Sequence, residues 1–313
     1  MLTHCFPALF LSLTALVGCQ SPASSVAGYQ DLAPVRVKVV AHRGCLDAAP
    51  ENSLPAILNC SSAGVDIVET DVRQTQEGAL VIMHDDTVDR MTNGEGLVTE
   101  ISQSEFSALK LRSRHGGANV SVTDLSPPTL AELLESKPQT LVVNLDVKDV
   151  AAYPAVNTML RKLGQGASII LKTSMSPDGT AYHDFMSIGG AAFMPVIRQC
   201  VDEARPTPQI YCARNAQDIE KDFAGLNLFG YELIFRDEAF LRQVADATRG
   251  SGLEIWVNLL APEHAAGHTD SLALEDPDAH WGRIADLGAT IMQTDYPEAM
   301  RAYLDQRAAG AQP

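Results

Sequence analysis

Eight short β-rich runs separated by helical stretches constrain this chain more than any other property of its sequence. The runs are VKVVAHR (37–43), DIVETDV (66–72), LVVNLDVK (141–148), ASIILKT (167–173), AAFMPVI (191–197), YELIF (231–235), LEIWVN (253–258) and ATIMQTD (289–295). Most are largely apolar, as a parallel strand covered on both faces must be. Helical patterns follow most of them. Examples are AAYPAVNTMLRKLG after the third and EAFLRQVADATRG after the sixth, which ends in Gly250 with Arg249 in its last turn. This alternation predicts an α/β fold, a (β/α)8 TIM barrel, which needs about 250 residues in one domain. The chain has 313, 46% of them hydrophobic, enough for that core. The barrel is expected over 35–306, with 307–313 as a C-terminal tail.

A further run, ALVIMHD (79–85), exceeds the count of eight. It follows DIVETDVRQ through the turn-like TQEG, so it reads as an antiparallel return arm that brings His84 back beside Glu69. Residues 86–125 have weak periodicity and Gly-rich punctuation (TNGEG, RHGG). They are expected to form a small inserted subdomain near the barrel mouth, before SPPTLAELLE resumes a helix.

The N-terminus has a different character. FPALFLSLTALV (6–17) is too short to span a bilayer core of roughly 30 Å but suits a signal peptide. Leu16, Val17, Gly18 and Cys19 look like a bacterial lipobox, although the preceding MLTH lacks Lys and Arg. A lipoprotein signal peptide at 1–18 and lipidation of Cys19 are therefore expected, with a plain cleaved signal peptide as the alternative. Residues 19–34 read as a flexible tether. The chain would then be a lipid-anchored protein of the cell envelope, periplasm-facing, at the outer membrane if the cell has one. The remaining Cys45, Cys60, Cys200 and Cys212 are even in number and in an oxidising compartment. Cys60 lies in a helical pattern and is expected as a small buried thiol, whereas Cys200 and Cys212 flank a loop that a disulfide could close. The formal charge of −16 argues against nucleic acid as a partner, since phosphate backbones are bound largely by Lys and Arg.

In a barrel the site lies at the C-terminal ends of the strands, where this chain concentrates polar residues. Side chains two apart share a strand face, which pairs Glu69 with Asp71, aligns Asn144, Asp146 and Lys148, and pairs Trp256 with Asn258. Glu69, Asp71 and Asp146 make an all-oxygen set suited to one divalent metal, Mg²⁺ or Ca²⁺, rather than to zinc. His42 and His84 would flank the ion. Taken singly, each feature has a plainer explanation: a solvated rim, a Lys148 surface pair, or Trp256 as barrel packing.

Together the motifs resemble the glycerophosphodiester phosphodiesterase family. The matching stretches are AHRG with PENS, GVDIVETDV, ALVIMHDDTVDRMTNGEG, PPTLAELL, LVVNLDVK, WVN and GATIMQTDYP, in this order from residue 41 to 297. The resemblance implies that Glu69 and Asp71 bind the metal, that His42 and His84 are the acid and base, and that Arg43 and Lys148 contact phosphoryl oxygens. It further implies that Glu51 orients Arg43 or His42 and that Asn52 caps the first helix. Glu51 and Trp256 are counted with Lys148 on the substrate-binding side. Two departures stand out. Asp146 replaces the family's Glu and is one methylene shorter, and Thr290 and Ile291 replace a typical Asp and Gly. The implied activity is metal-dependent cleavage of a glycerophosphodiester to glycerol 3-phosphate and an alcohol. A glycerophosphoinositol-selective or phospholipase C-like diesterase, and a binding lipoprotein without turnover, are the alternatives.

Overall fold

The computed structural model describes residues 36–46, 49–174, 190–200 and 210–310. The signal peptide, Cys19 and the tether lie outside the described residues. Ten strands occur among those described: β1 (Lys38–Ala41), β2 (Ile67–Gln74), β3 (Leu80–Ile82), β4 (Val142–Val147), β5 (Ile169–Thr173), β6 (Ala192–Gln199), β7 (Cys212–Ala213), β8 (Gly230–Ile234), β9 (Glu254–Asn258) and β10 (Ile291–Thr294). Eight of them pair in the parallel order β1-β10-β9-β8-β6-β5-β4-β2, and β2 returns to β1 to close the ring. The expected barrel is therefore present, with all eight runs in place. β3 lies antiparallel on β2, Val72 facing Ile82, as the return arm requires, and short β7 pairs β6 outside the ring.

The period-2 alternation of the strands separates two cores. Val39, Val68, Val143, Leu171, Ile197, Leu233, Val257 and Met292 pack outward against the helices. Their neighbours Val40, Ile67, Val142, Ile170, Met194, Trp256 and Ile291 fill the interior. Further toward the strand ends, inward positions turn polar or charged, at His42, Asp71, Asp146, Lys172 and Arg198. The change is legible in the register, where Asp71 lies level with Asp146, and Asp146 with Lys172.

Residues 86–125 contain a short helix, Gln103–Ala108, started by a Ser102/Glu105 capping box. Val88, Met91, Val98, Phe106 and Leu111 form their own apolar cluster with Val81 and Met83, which fixes the excursion to the return arm. Two expectations need correction. Cys60 is not a free thiol: it forms a disulfide with Cys45, while Cys200 pairs with Cys212. The segment from 307 is no separate tail up to Gly310, because the helix Pro297–Gly310 runs through it and Arg307 binds Asp286 at 2.6 Å. Among the described residues, no helix is long and apolar enough to cross a membrane.

Candidate active site

The turn after β1 is built by backbone conformation as much as by side chains. Arg43 has φ 56° and Asn52 φ 58°, left-handed values that non-glycine residues adopt at a cost of about 1–3 kcal/mol. The Arg43 N–H donates to Glu69 at 3.2 Å, and its C=O accepts from Asn52 N–H at 2.8 Å. Gly44, at φ +96°, must lack a side chain, since a Cβ would lie 2.8 Å from the Ala56 carbonyl carbon. Asn52 is not the helix cap: Ser53 caps the helix Leu54–Asn59. Asn52 instead donates to Asp71 at 2.8 Å and accepts from Thr70 at 2.7 Å, which fixes one of the expected metal ligands. Glu51 is buried and binds Arg43 at 3.0 Å, Arg90 at 2.7 Å and His115 at 3.3 Å. It thus positions Arg43 and ties the inserted segment to the first loop rather than facing substrate. Hydrogen bonds from His115 and Arg90 outweigh its burial and hold its carboxyl down at about 2.

Glu69, Asp71 and Asp146 each offer an oxygen, all within 4.8 Å of one another. Lys148 lies 2.7 Å from both Asp71 and Asp146. Lys172, a buried lysine on β5, lies 3.8 Å from Glu69, 3.8 Å from Asp146 and 3.2 Å from Glu232. Burial and the neighbouring Asp71 charge raise the pKa of Glu69. For Asp71 burial acts the same way, but Lys148 and Arg43 outweigh it and the pKa falls. The cluster gathers three carboxylates beside Lys148, Lys172 and Arg43, and offers hard oxygen donors only. That fits a divalent cation of the Mg²⁺ or Ca²⁺ type.

Each expected catalytic histidine is held through one ring nitrogen. His42 Nδ1 lies 2.7 Å from Asp295 and His84 Nδ1 lies 2.8 Å from Asp85. Asp85 is gripped in turn by Arg90 Nε at 2.6 Å and Nη2 at 2.9 Å. An Nδ1–H donated to a carboxylate leaves Nε2 as the nitrogen for proton transfer. Burial lowers the pKa of His84, against an opposing pull from Asp71.

These groups line one cavity of about 570 Å³ at the strand ends, with His42, Arg43, Glu69, Asp71, His84, Asp146 and Lys148 on its wall. Trp256 is the exception among the expected site residues. Its ring is fully buried in the barrel interior and its indole N–H donates to Gln293 at 3.0 Å. It packs beneath the floor and does not line the cavity, the consequence of an inward position one layer below the polar rim. Sequence reasoning also missed Asp295, Asp85, Arg90, Lys172, Glu232, Arg198 and His264. A charge inside an apolar run, as in IILKT or YELIF, was the available signal for Lys172 and Glu232. Asp295 had only the motif TDYP.

The profile of the Glycerophosphoryl diester phosphodiesterase family matches residues 42–199, and that of a domain of unknown function matches 193–304. A glycerophosphodiester phosphodiesterase of Caldanaerobacter subterraneus is 34% identical over 134 residues, which are 41% of this chain and 52% of that protein. The chain thus spans about half the length of that curated relative. A crystal structure of a glycerophosphoryl diester phosphodiesterase from Parabacteroides distasonis superposes with a TM-score of 0.69 at 21% identity, covering 90% of each chain. An Oleispira antarctica phosphodiesterase, solved with the product sn-glycerol-3-phosphate, gives a TM-score of 0.58 at 21% identity, covering 86% of this chain and 97% of that one. At such identities the likeness carries the fold.

Proposed function

The chain belongs to the glycerophosphoryl diester phosphodiesterase family, and on that premise we propose that it hydrolyses glycerophosphodiesters to glycerol 3-phosphate and an alcohol with the aid of a divalent metal. One observation carries the reading: two imidazoles, each with Nδ1 on its own aspartate, share a cavity with Arg43 and a three-carboxylate cluster. A binding module has no use for two oriented proton carriers. The relative solved with glycerol 3-phosphate supports the product.

Glu69, Asp71 and Asp146 would hold the metal, which when bound supplies charge stabilisation at the phosphoryl oxygens. Arg43 adds a planar pair of donors to those oxygens, and Glu51 keeps it from turning away. One imidazole accepts through Nε2 the proton of the nucleophile, either water or a neighbouring glycerol hydroxyl whose cyclic phosphate water then opens, and the other donates a proton to the departing alkoxide. Burial lowers the pKa of His84, which favours the neutral form a base requires. Asp295 and Asp85 stabilise whichever ring carries the positive charge.

The purified protein with Mg²⁺ or Ca²⁺ is expected to release glycerol 3-phosphate from a panel of glycerophosphodiesters. His42→Ala and His84→Ala should each lower turnover by about 10² or more, the usual contribution of acid–base catalysis. Near-normal rates in either variant would remove the two-histidine mechanism. We further propose, from LVGC and the tether, that the chain is anchored to the cell envelope through a lipid on Cys19. Cys19→Ser should then move the protein from the membrane fraction to the soluble one, and retention in the membrane would refute lipid attachment.

A further inference from the structure

We infer that Arg198 is a specificity residue that receives an anionic group, phosphate or carboxylate, borne by the departing alcohol of the diester. The inference takes its substrate from the hydrolase reading above, but its argument rests on different residues.

The other cations of the cavity wall are already matched. Arg43 is paired with Glu51, Lys148 with Asp71 and Asp146, and Lys172 with Glu232 at 3.2 Å. The Arg198 side chain makes no hydrogen bond or ion pair among the described residues, and its Nε is buried without a partner. A guanidinium facing a cavity with its donors unused is an anion receptor, and its planar fork fits two oxygens of a phosphate or carboxylate.

Its position decides which part of the substrate it meets. In the ring order β1-β2-β4-β5-β6-β8-β9-β10, β6 is four strands from β1 in either direction, hence opposite it. The scissile phosphoryl group must lie against His42 and Arg43 at the end of β1. Arg198, near the end of β6, therefore faces an ester arm rather than the reacting phosphorus. The surroundings strengthen the charge: Val196, Ile234 and Leu260 are its apolar companions on the cavity wall, and low local polarity raises the attraction of ion for ion. His264, held by Asn258 at 3.0 Å, has its pKa lowered by burial, with Glu232 and Glu263 pulling it up and Arg198 adding to the fall, so Arg198 and His264 share one field. Among the described lining residues there is no Phe, Tyr or Trp ring to box a quaternary ammonium.

Matched substrates test this. Glycerophosphoglycerol offers a neutral alcohol, bis(glycerophospho)glycerol the same alcohol with a second phosphoryl group, the glycerophosphodiester of glyceric acid a carboxylate, and glycerophosphocholine a cation. The wild type should prefer the two anionic arms in kcat/KM, and the pair of them tells phosphate from carboxylate. In Arg198→Gln the anionic-to-neutral ratio should fall by about tenfold or more, chiefly through KM, while Arg198→Lys should keep part of the preference. Equal losses on all diesters would assign Arg198 to the scissile phosphate, and no change would deny it any contact; either result overturns the inference. Calorimetric affinities of the uncleaved diesters for His42→Ala, with and without Arg198→Gln, separate the two readings. An Arg198-dependent affinity ratio without any wild-type turnover would sink the hydrolase and keep the subsite. A ratio indifferent to Arg198 would sink the subsite alone. Should Arg198→Gln fail to fold, the wild-type preference must still shrink as salt is raised, and a salt-independent preference refutes the role.

Discussion

Asp146 meets Lys148 at 2.7 Å and also contributes to the three-carboxylate cluster, so one side chain would serve both an ion pair and the proposed metal site. Its shorter arm leaves more room for water than a glutamate would, which both Mg²⁺ and Ca²⁺ tolerate. Asp146→Ala should raise the metal concentration needed for half-maximal activity by about tenfold or more, equivalent to roughly 1.4 kcal/mol. Superimposable titrations of wild type and variant would reduce Asp146 to a partner of Lys148. The other departure from the family pattern lies away from the site. Thr290 sits just before β10, where its hydroxyl accepts from the Ile255 N–H at 2.8 Å, a seam between β9 and β10 rather than a catalytic contact.

The first βα unit shows how element and site depend on one another. The Cys45–Cys60 disulfide spans 15 residues and closes the loop that carries Glu51 and Asn52 onto the helix behind it. Cys60→Ser should cost about 3 kcal/mol of stability by the chain-entropy relation for such a loop, measurable by urea unfolding. An unchanged midpoint would mean the bridge does not form in solution. This bridge was hidden in the sequence because LPAILNCSSAG reads as a helix, and helical spacing says nothing about a partner in the preceding turn. The eight strands were legible because each alternates or runs apolar over its buried length. The inward set Glu69, Asp71 and Asp146 was legible because strand parity aims alternate residues to one face, whereas Arg43, next to His42 in the turn beyond β1, came only from the AHRG and PENS resemblance. Parity alone does not give depth, however, and so Trp256 was placed against substrate when it lies one layer lower. Asp295 and Arg90 act through tertiary contacts with residues 253 and 39 positions away, beyond the reach of local pattern.

Across the whole molecule, the pH dependence of stability has two opposed parts. Asp270 is buried, accepting from the Asp295 N–H at 2.9 Å and the Trp281 indole at 3.0 Å, yet burial dominates and pushes its carboxyl up to about 6. Between an ordinary aspartate value of about 4 and that value, the folded chain retains a proton that the unfolded chain has lost. This contribution to stability is complete below about pH 4 and lost as pH rises through about 6. Glu51 and Asp85, both lowered to about 2 with burial outweighed by their hydrogen bonds, act in the other direction: their contribution is present above the ordinary carboxylate range and disappears as pH falls toward 2. Thermal melts from pH 4 to 7 should show Asp270→Asn gaining on wild type as pH rises. Parallel curves would show that Asp270 has an ordinary titration in the fold. The inward face of the barrel, apolar below and charged at the rim, has a last consequence. Its upper ring is locally frustrated: Glu69 is pressed by burial and by Asp71, a conflict the fold tolerates and the proposed chemistry would use. Heat resistance and turnover thus favour opposite side chains at the same positions. A lineage selected for robustness alone would drift toward neutral residues there and keep the barrel while losing its charged rim.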